Sequence, residues 1–148
     1  MVTFVKGDLL NADVDIICHQ VNLQGVMGGG LAYQIAKKYP NTEKAYKKYC
    51  MKKTADLGDC FITLEDDFFI ANCFSQEENF DTNYEAVYYC FIKVHSFVDD
   101  IRRKYGDNYK IGIPFKYGCG IANGDWDKVL EIITDVFRDD DVLIYIKD

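Results

Sequence analysis

Asp15-Ile16-Ile17-Cys18-His19, then a glycine-rich segment from Gly25 to Gly30, then Leu31, Ala32, Ile35, Ala36 and Tyr39 at helical spacing: this stretch decides the fold. A short apolar run reads as a buried strand, and the residues after the glycines read as an amphipathic helix. A strand that runs through a glycine loop into a helix is the unit of a parallel α/β sheet. Ligands of such sheets gather where strands end and helices begin.

The same unit recurs near the other end. Tyr109 to Ile113 reads as a buried strand, Tyr117-Gly118-Cys119-Gly120-Ile121 as a second glycine loop, and Asp125 to Phe137 as a helix with Trp126, Val129, Leu130, Ile133 and Phe137 in register. Other expected strands are Val2 to Lys6, Cys60 to Leu64, Phe68 to Asn72 and Val142 to Ile146. Pro40 is expected to stop the first helix, with Asn41 or Thr42 capping another that runs to Cys50. The longest helix is expected from Thr82 to Lys104, with Tyr84, Val87, Tyr88, Phe91, Val94, Val98 and Ile101 as its apolar face.

With 148 residues and no linker, repeat or low-complexity segment, the chain suits a single domain spanning 1–148. The hydrophobic fraction of 49% is enough for a packed core. The formal charge is −7, and no basic patch of the kind that holds a nucleic-acid backbone is visible. An anionic ligand would therefore have to be held by local donors. The six cysteines form no CxxC pair and mostly sit in apolar runs, so they read as buried thiols; neither histidine has metal-ligand spacing to them. No metal or cofactor is expected. Met1-Val2-Thr3-Phe4 enters a strand pattern at once and no apolar run is long enough to span a membrane, so a cytoplasmic monomer is expected.

Each glycine loop lets backbone N–H groups approach a ligand, and the helix that follows adds partial positive charge. Gly28-Gly29-Gly30 before Leu31, and Gly118-Cys119-Gly120 before the Trp126 helix, could clamp a diphosphate without lysines. Neither matches a Walker loop or GxGxxG. Taken singly, each is as readily a tight turn. Asp8 could simply cap the turn after Gly7, Asn22 could satisfy loop backbone, Tyr145 could be core, and His19 could be a hydrogen-bonded structural residue. Asp125 could cap its helix.

The segments Lys6-Gly7-Asp8-Leu9, Ile17-Cys18-His19-Gln20-Val21-Asn22, Gly28-Gly29-Gly30-Leu31-Ala32 and Ile113-Pro114-Phe115-Lys116-Tyr117-Gly118-Cys119-Gly120 resemble macro domains. The resemblance is closest to the branch of ADP-ribose-1″-phosphate phosphatases and terminal ADP-ribose glycohydrolases. It implies a three-layer α/β/α fold with a mixed, largely parallel sheet and a cleft for ADP-ribose. It assigns Asp8 to the adenine amino group, with Leu9 beside it and Tyr145 as an adenine-side aromatic. It assigns Asn22 to the distal ribose, Gly28, Gly29, Gly30 and Leu31 to the first phosphate loop, and Tyr117, Gly118, Cys119, Gly120 and Ile121 to the second.

The resemblance also makes His19 and Asp125 the candidate catalytic pair, and phosphate removal from ADP-ribose-1″-phosphate the first activity to expect. Release of ADP-ribose from protein or nucleic-acid adducts, or binding without catalysis, are the other readings. The glutamate-type glycohydrolases use a lysine after the central strand and an aspartate after the second loop. Here those regions read Phe74-Ser75-Gln76-Glu77-Glu78 and Ala122.

Overall fold

The computed structural model describes residues 1–106 and 108–147. Its strands are β1 (Val2–Lys6), β2 (Ile16–Asn22), β3 (Cys60–Leu64), β4 (Phe69–Gln76), β5 (Lys110–Pro114) and β6 (Asp141–Ile146). Its α-helices are α1 (Gly30–Lys38), α2 (Pro40–Met51), α3 (Tyr84–Tyr105) and α4 (Trp126–Val136). The strands form one six-stranded sheet in the order β1-β6-β5-β2-β4-β3. Every pairing is parallel except that of β3 with β4.

The side-chain period of two divides the core. Cys18 of β2 and Ala71 and Cys73 of β4 pack with Val87, Phe91 and Val94 of α3 and with Val129 and Ile133 of α4. On the opposite face, Val21 and Phe74 pack with Ala36 of α1 and Tyr46 of α2. Ile70 meets Ile35 there as well. The result is the three-layer α/β/α arrangement. Strand β2 is buried along both faces, which explains why it reads as a continuous apolar run.

Several boundaries differ from expectation for physical reasons. Pro40 starts α2 instead of merely ending α1, because a proline's missing N–H and fixed φ suit the first helical position. Tyr39 is thus the shared boundary residue, and neither Asn41 nor Thr42 is the cap. Strand β4 runs on to Gln76, past the polar Asn72 that suggested its end. Helix α3 starts later than Thr82 because the Asn83 side chain accepts from the Ala86 N–H, an N-cap. Tyr88 lies on the exposed side of α3, and Cys90 takes the buried position. All six cysteines are free thiols: Cys18, Cys73 and Cys90 are buried, whereas Cys50, Cys60 and Cys119 are partly exposed. Among the described residues, no helix is long and apolar enough to cross a membrane.

Candidate ligand cleft between two glycine loops

Strands β2 and β5 are neighbours, so the loops that leave their carboxyl ends face each other across a cavity of about 550 Å³. That volume lies within the range of small-molecule sites. Gly28, Gly29, Gly30 and Leu31 form one wall, and Tyr117, Gly118, Gly120 and Ile121 the other. Gln20 and Asn22 on β2, Gln76 at the end of β4, Phe80 beyond it and Lys116 also line the space. Lys116 is the one charged side chain among these residues.

The first loop is built by Asn22. Its side-chain oxygen accepts from the Gln24 N–H at 3.1 Å, and its Nδ2 donates to the Val26 carbonyl at 3.0 Å. Tyr46, fully buried on α2, donates from its hydroxyl toward both oxygens of Asn22, at 2.6 Å and 2.9 Å. Burial pushes the Tyr46 phenol well above its ordinary pKa, so it stays a donor. The β2–β4 register slips at this point: Val21 pairs with Phe74 but Asn22 with Gln76, leaving Ser75 as the extra residue. Such bulges re-aim side chains beside sites.

A polar cluster under the second loop uses that extra residue. Ser75 Oγ lies 2.8 Å from the Tyr117 hydroxyl, and Gln20 Nε2 donates to Ser75 Oγ and Thr82 Oγ1, both at 3.1 Å. Thr82 in turn donates to the Gly118 carbonyl at 2.6 Å. Gly118 has φ +72°, and a β-carbon there would stand 2.8 Å from Thr82 Oγ1. Tyr117 is accordingly a buried support whose ring holds the loop from below, while Cys119 turns its Sγ to the Tyr117 carbonyl. Among the described residues, the N–H groups of Gly28, Gly29, Gly118, Gly120 and Ile121 are not spent on loop hydrogen bonds. These unspent main-chain donors are the kind of group that holds an anion.

The residues that the resemblance assigns to adenine form a group beside the cleft. The Asp8 carboxylate caps the turn at Leu9–Asn11 by accepting from Leu10 N–H at 3.0 Å, so the capping reading is realised. Its other oxygen is 3.9 Å from Lys147 Nζ. Leu9 is buried and packs with Ile17, Tyr145 and Leu31. Leu31 also lines the cavity, so it joins this group to the cleft. Tyr145 pairs with Pro114 in the sheet, and its carbonyl accepts from Phe115 N–H.

The two expected catalytic residues are not brought together. His19 is 1% exposed and lies off the cavity wall, between Ile17 and Val21 on the α1/α2 face. Its Nε2 is 2.7 Å from Asn72 Oδ1. Asn72 Nδ2 is committed to the Phe61 carbonyl, so Asn72 Oδ1 is the acceptor and His19 Nε2 carries the proton. Nδ1 is left with no partner among the described residues. Burial lowers the His19 pKa to about 4, so the ring is neutral at pH 7. Asp125 is exposed at the start of α4, on the other face, where it accepts from Asp127 N–H as a helix cap. The pairing of Asp125 with a His19 imidazolium is therefore replaced by two separate structural roles.

Gln20, Ser75, Thr82, Tyr46 and Phe80 were not singled out from sequence. Only Gln20 carried a usable signal: a polar side chain on β2 two residues before Asn22.

The macro domain family model matches residues 18–133. The chain belongs to the macro domain family. This macro domain is 31% identical over 144 residues to the ADP-ribose 1″-phosphate phosphatase of Candida albicans, covering 86% of this chain and 88% of that one. It is 40% identical over 62 residues to the DNA ADP-ribosyl glycohydrolase of Mycobacterium tuberculosis, covering 42% of this chain but 18% of that protein. The matched part of this macro domain thus spans under a fifth of the mycobacterial glycohydrolase's length. Among solved structures it superimposes on the macrodomain of Thermus aquaticus DarG with a TM-score of 0.84 and 25% identity, covering 99% and 98% of the two chains.

Proposed function

We propose that the cleft binds ADP-ribose and that the protein hydrolyses ADP-ribose derivatives at the distal ribose. The observation that carries this reading is the pair of glycine loops presenting main-chain N–H groups to one cavity whose wall holds a single charged side chain. That arrangement suits a diphosphate, which spreads its charge over several oxygens and needs several fixed donors. The adenosine end lies toward Asp8, Leu9 and Tyr145, and the distal ribose toward Asn22. Water then replaces the group on the distal ribose, giving ADP-ribose and the protonated leaving group.

Two substrates have specific support. The Candida albicans relative, aligned over most of both chains, is named for ADP-ribose 1″-phosphate. The mycobacterial and Thermus relatives are named for DNA-linked ADP-ribose, and they match this chain at 39–40% identity over 62 residues. In neither reading does His19 touch substrate; the amide and amine side chains on the wall are Gln20, Asn22, Gln24, Gln76 and Lys116.

The test is direct. ADP-ribose binding is measured by calorimetry, and turnover is measured on ADP-ribose-1″-phosphate and on an ADP-ribosylated oligonucleotide. Binding with turnover of either substrate supports the reading. Binding without turnover marks a non-catalytic reader, and no binding of ADP-ribose overturns the proposal altogether.

A further inference from the structure

Cys60 and Cys73 stand opposite each other in the sheet, as Cα partners in the antiparallel pair of β3 with β4. Phe74 N–H donates to the Asp59 carbonyl at 3.0 Å, so the ladder bond joins the residue after Cys73 to the residue before Cys60. Cys60 and Cys73 are therefore a non-hydrogen-bonded pair, the kind whose Cα atoms lie about 4.5 Å apart and whose side chains are closest. A disulfide spans Cα separations of about 4.4–6.8 Å, so one can close here without moving the strands.

Other thiols crowd the same place. Cys18 on β2 and Cys90 on α3 share the core cluster of Cys73, and Cys60 packs against it. Cys18, Cys73 and Cys90 are buried, whereas Cys60, on the edge strand, is partly exposed. The Cys90 thiol is engaged with the Asp59 carbonyl at 3.2 Å. A hydrogen bond from the Cys73 thiol favours the Cys60 thiolate, while burial opposes it and leaves Cys60 above its usual pKa. Cys73 is pushed up much further, by its contacts with Cys18, Cys60 and Cys90 and by burial. Cys60 is thus both the reachable thiol of the pair and the one that ionises first. Among the described residues, no group of three or more His, Cys, Asp or Glu could hold a metal ion, so the chemistry open to this cluster is between pairs of thiols.

We propose that Cys60 and Cys73 are a site of reversible oxidation, closing to a cross-strand disulfide that pins the edge strand β3 to the sheet. The oxidant class is a peroxide. The Cys60 sulfur attacks one peroxide oxygen, the O–O bond breaks, and Cys60 becomes a sulfenic acid as water leaves with the Cys60 proton. The Cys73 sulfur then attacks the Cys60 sulfur, the S–O bond breaks, and a second water leaves with the Cys73 proton. The two thiols lose two electrons, and the peroxide is reduced to two waters. The Cα spacing of such a pair falls short of the preferred value of about 5.5–6 Å, and a disulfide held off its preferred geometry is more readily reduced, so an added thiol reopens it. Strand β3 ends the sheet order, and an edge strand that stays paired keeps its backbone groups from other chains.

The experiment treats the reduced, folded protein with hydrogen peroxide until thiol loss stops. Two of the six thiols should disappear, and dithiothreitol should restore both. Peptide mapping without reductant should show the segment of Cys60 joined to that of Cys73. The melting temperature should rise by roughly 5–10 °C on oxidation, from closing the chain between these residues, and fall back on reduction. Cys60→Ser should abolish both the link and the shift, and so should Cys60→Val, which keeps the apolar packing. Cys50→Ser should change neither. No thiol loss, a link between any other pair, a link that forms only in urea, or a link that leaves the melting temperature unmoved overturns the inference.

Discussion

Ile121 sits directly on Gly29: a β-carbon added at Gly29 would stand 2.7 Å from Ile121 Cδ1. The two loops therefore touch above the cleft, and the spacing between their donors depends on one hydrogen atom in place of a methyl group. Gly29→Ala should weaken ADP-ribose binding by roughly threefold, since the atom met is the far end of an exposed side chain that turns aside at a cost of about 0.5–1.5 kcal/mol. Adding Ile121→Ala should recover part of that loss. A double-mutant cycle by calorimetry checks this, with a coupling of at least about 0.5 kcal/mol expected for touching residues. Strict additivity would mean that the loops do not constrain each other.

Gly118→Val should be worse than Gly120→Val. Gly118 has a left-handed backbone and Thr82 against it, whereas a β-carbon at Gly120 meets nothing within 4 Å. Thermal unfolding of the free protein separates the two, because only the Gly118 variant should lose stability, by about 1–3 kcal/mol. Comparable melting temperatures would show that the Thr82 contact gives way without cost.

Asp8 has two duties to test separately. Its cap to Leu10 N–H predicts that Asp8→Ala loses about 0.5–2 kcal/mol of folding stability. A role at adenine predicts a further loss of roughly 10- to 150-fold in ADP-ribose affinity, the scale of a hydrogen bond to a charged group. Asp8→Asn should keep most of the cap. Unchanged affinity in both variants would leave Asp8 a turn residue.

His19 makes acid stability measurable. Its folded pKa, about 4, lies below the ordinary 6.5, so protonation favours the unfolded chain. Its contribution is complete above pH 6.5 and is lost as pH falls toward 4, at most about 1.4 kcal/mol per pH unit and about 3 kcal/mol in all. His19→Gln, which can still donate to Asn72, should flatten this limb of a urea-midpoint profile between pH 4 and 6.5. It should leave turnover within about threefold. A hundredfold loss of turnover with unchanged product binding would instead return the ring to the chemistry.

What was legible in the sequence was periodicity. The apolar run from Ile16 to Cys18 and the glycine runs before Leu31 and Trp126 marked the layers and the place of the cleft. What was not legible was direction. His19 and Asn22 are three residues apart on the same strand, yet the slip at Ser75 re-aims Asn22 at the strand end while His19, mid-strand, stays buried against Asn72. A bulge made by one extra residue in the neighbouring strand leaves no mark in the periodicity of β2. Phe80 was missed for a related reason: a left-handed phenylalanine breaks the residue preferences on which turn reading depends.

Main-chain donors have a kinetic consequence on a protein of charge −7. The overall field repels an approaching diphosphate, and salt screens that field over a Debye length of about 8–10 Å. The loop donors act only at contact, have no protonation equilibrium near neutrality, and freeze no long side chain on capture. Arrival is therefore governed by the surface and residence by the loops. Raising ionic strength should speed association while leaving dissociation nearly unchanged, so that affinity improves with moderate salt, the reverse of a lysine-lined phosphate site.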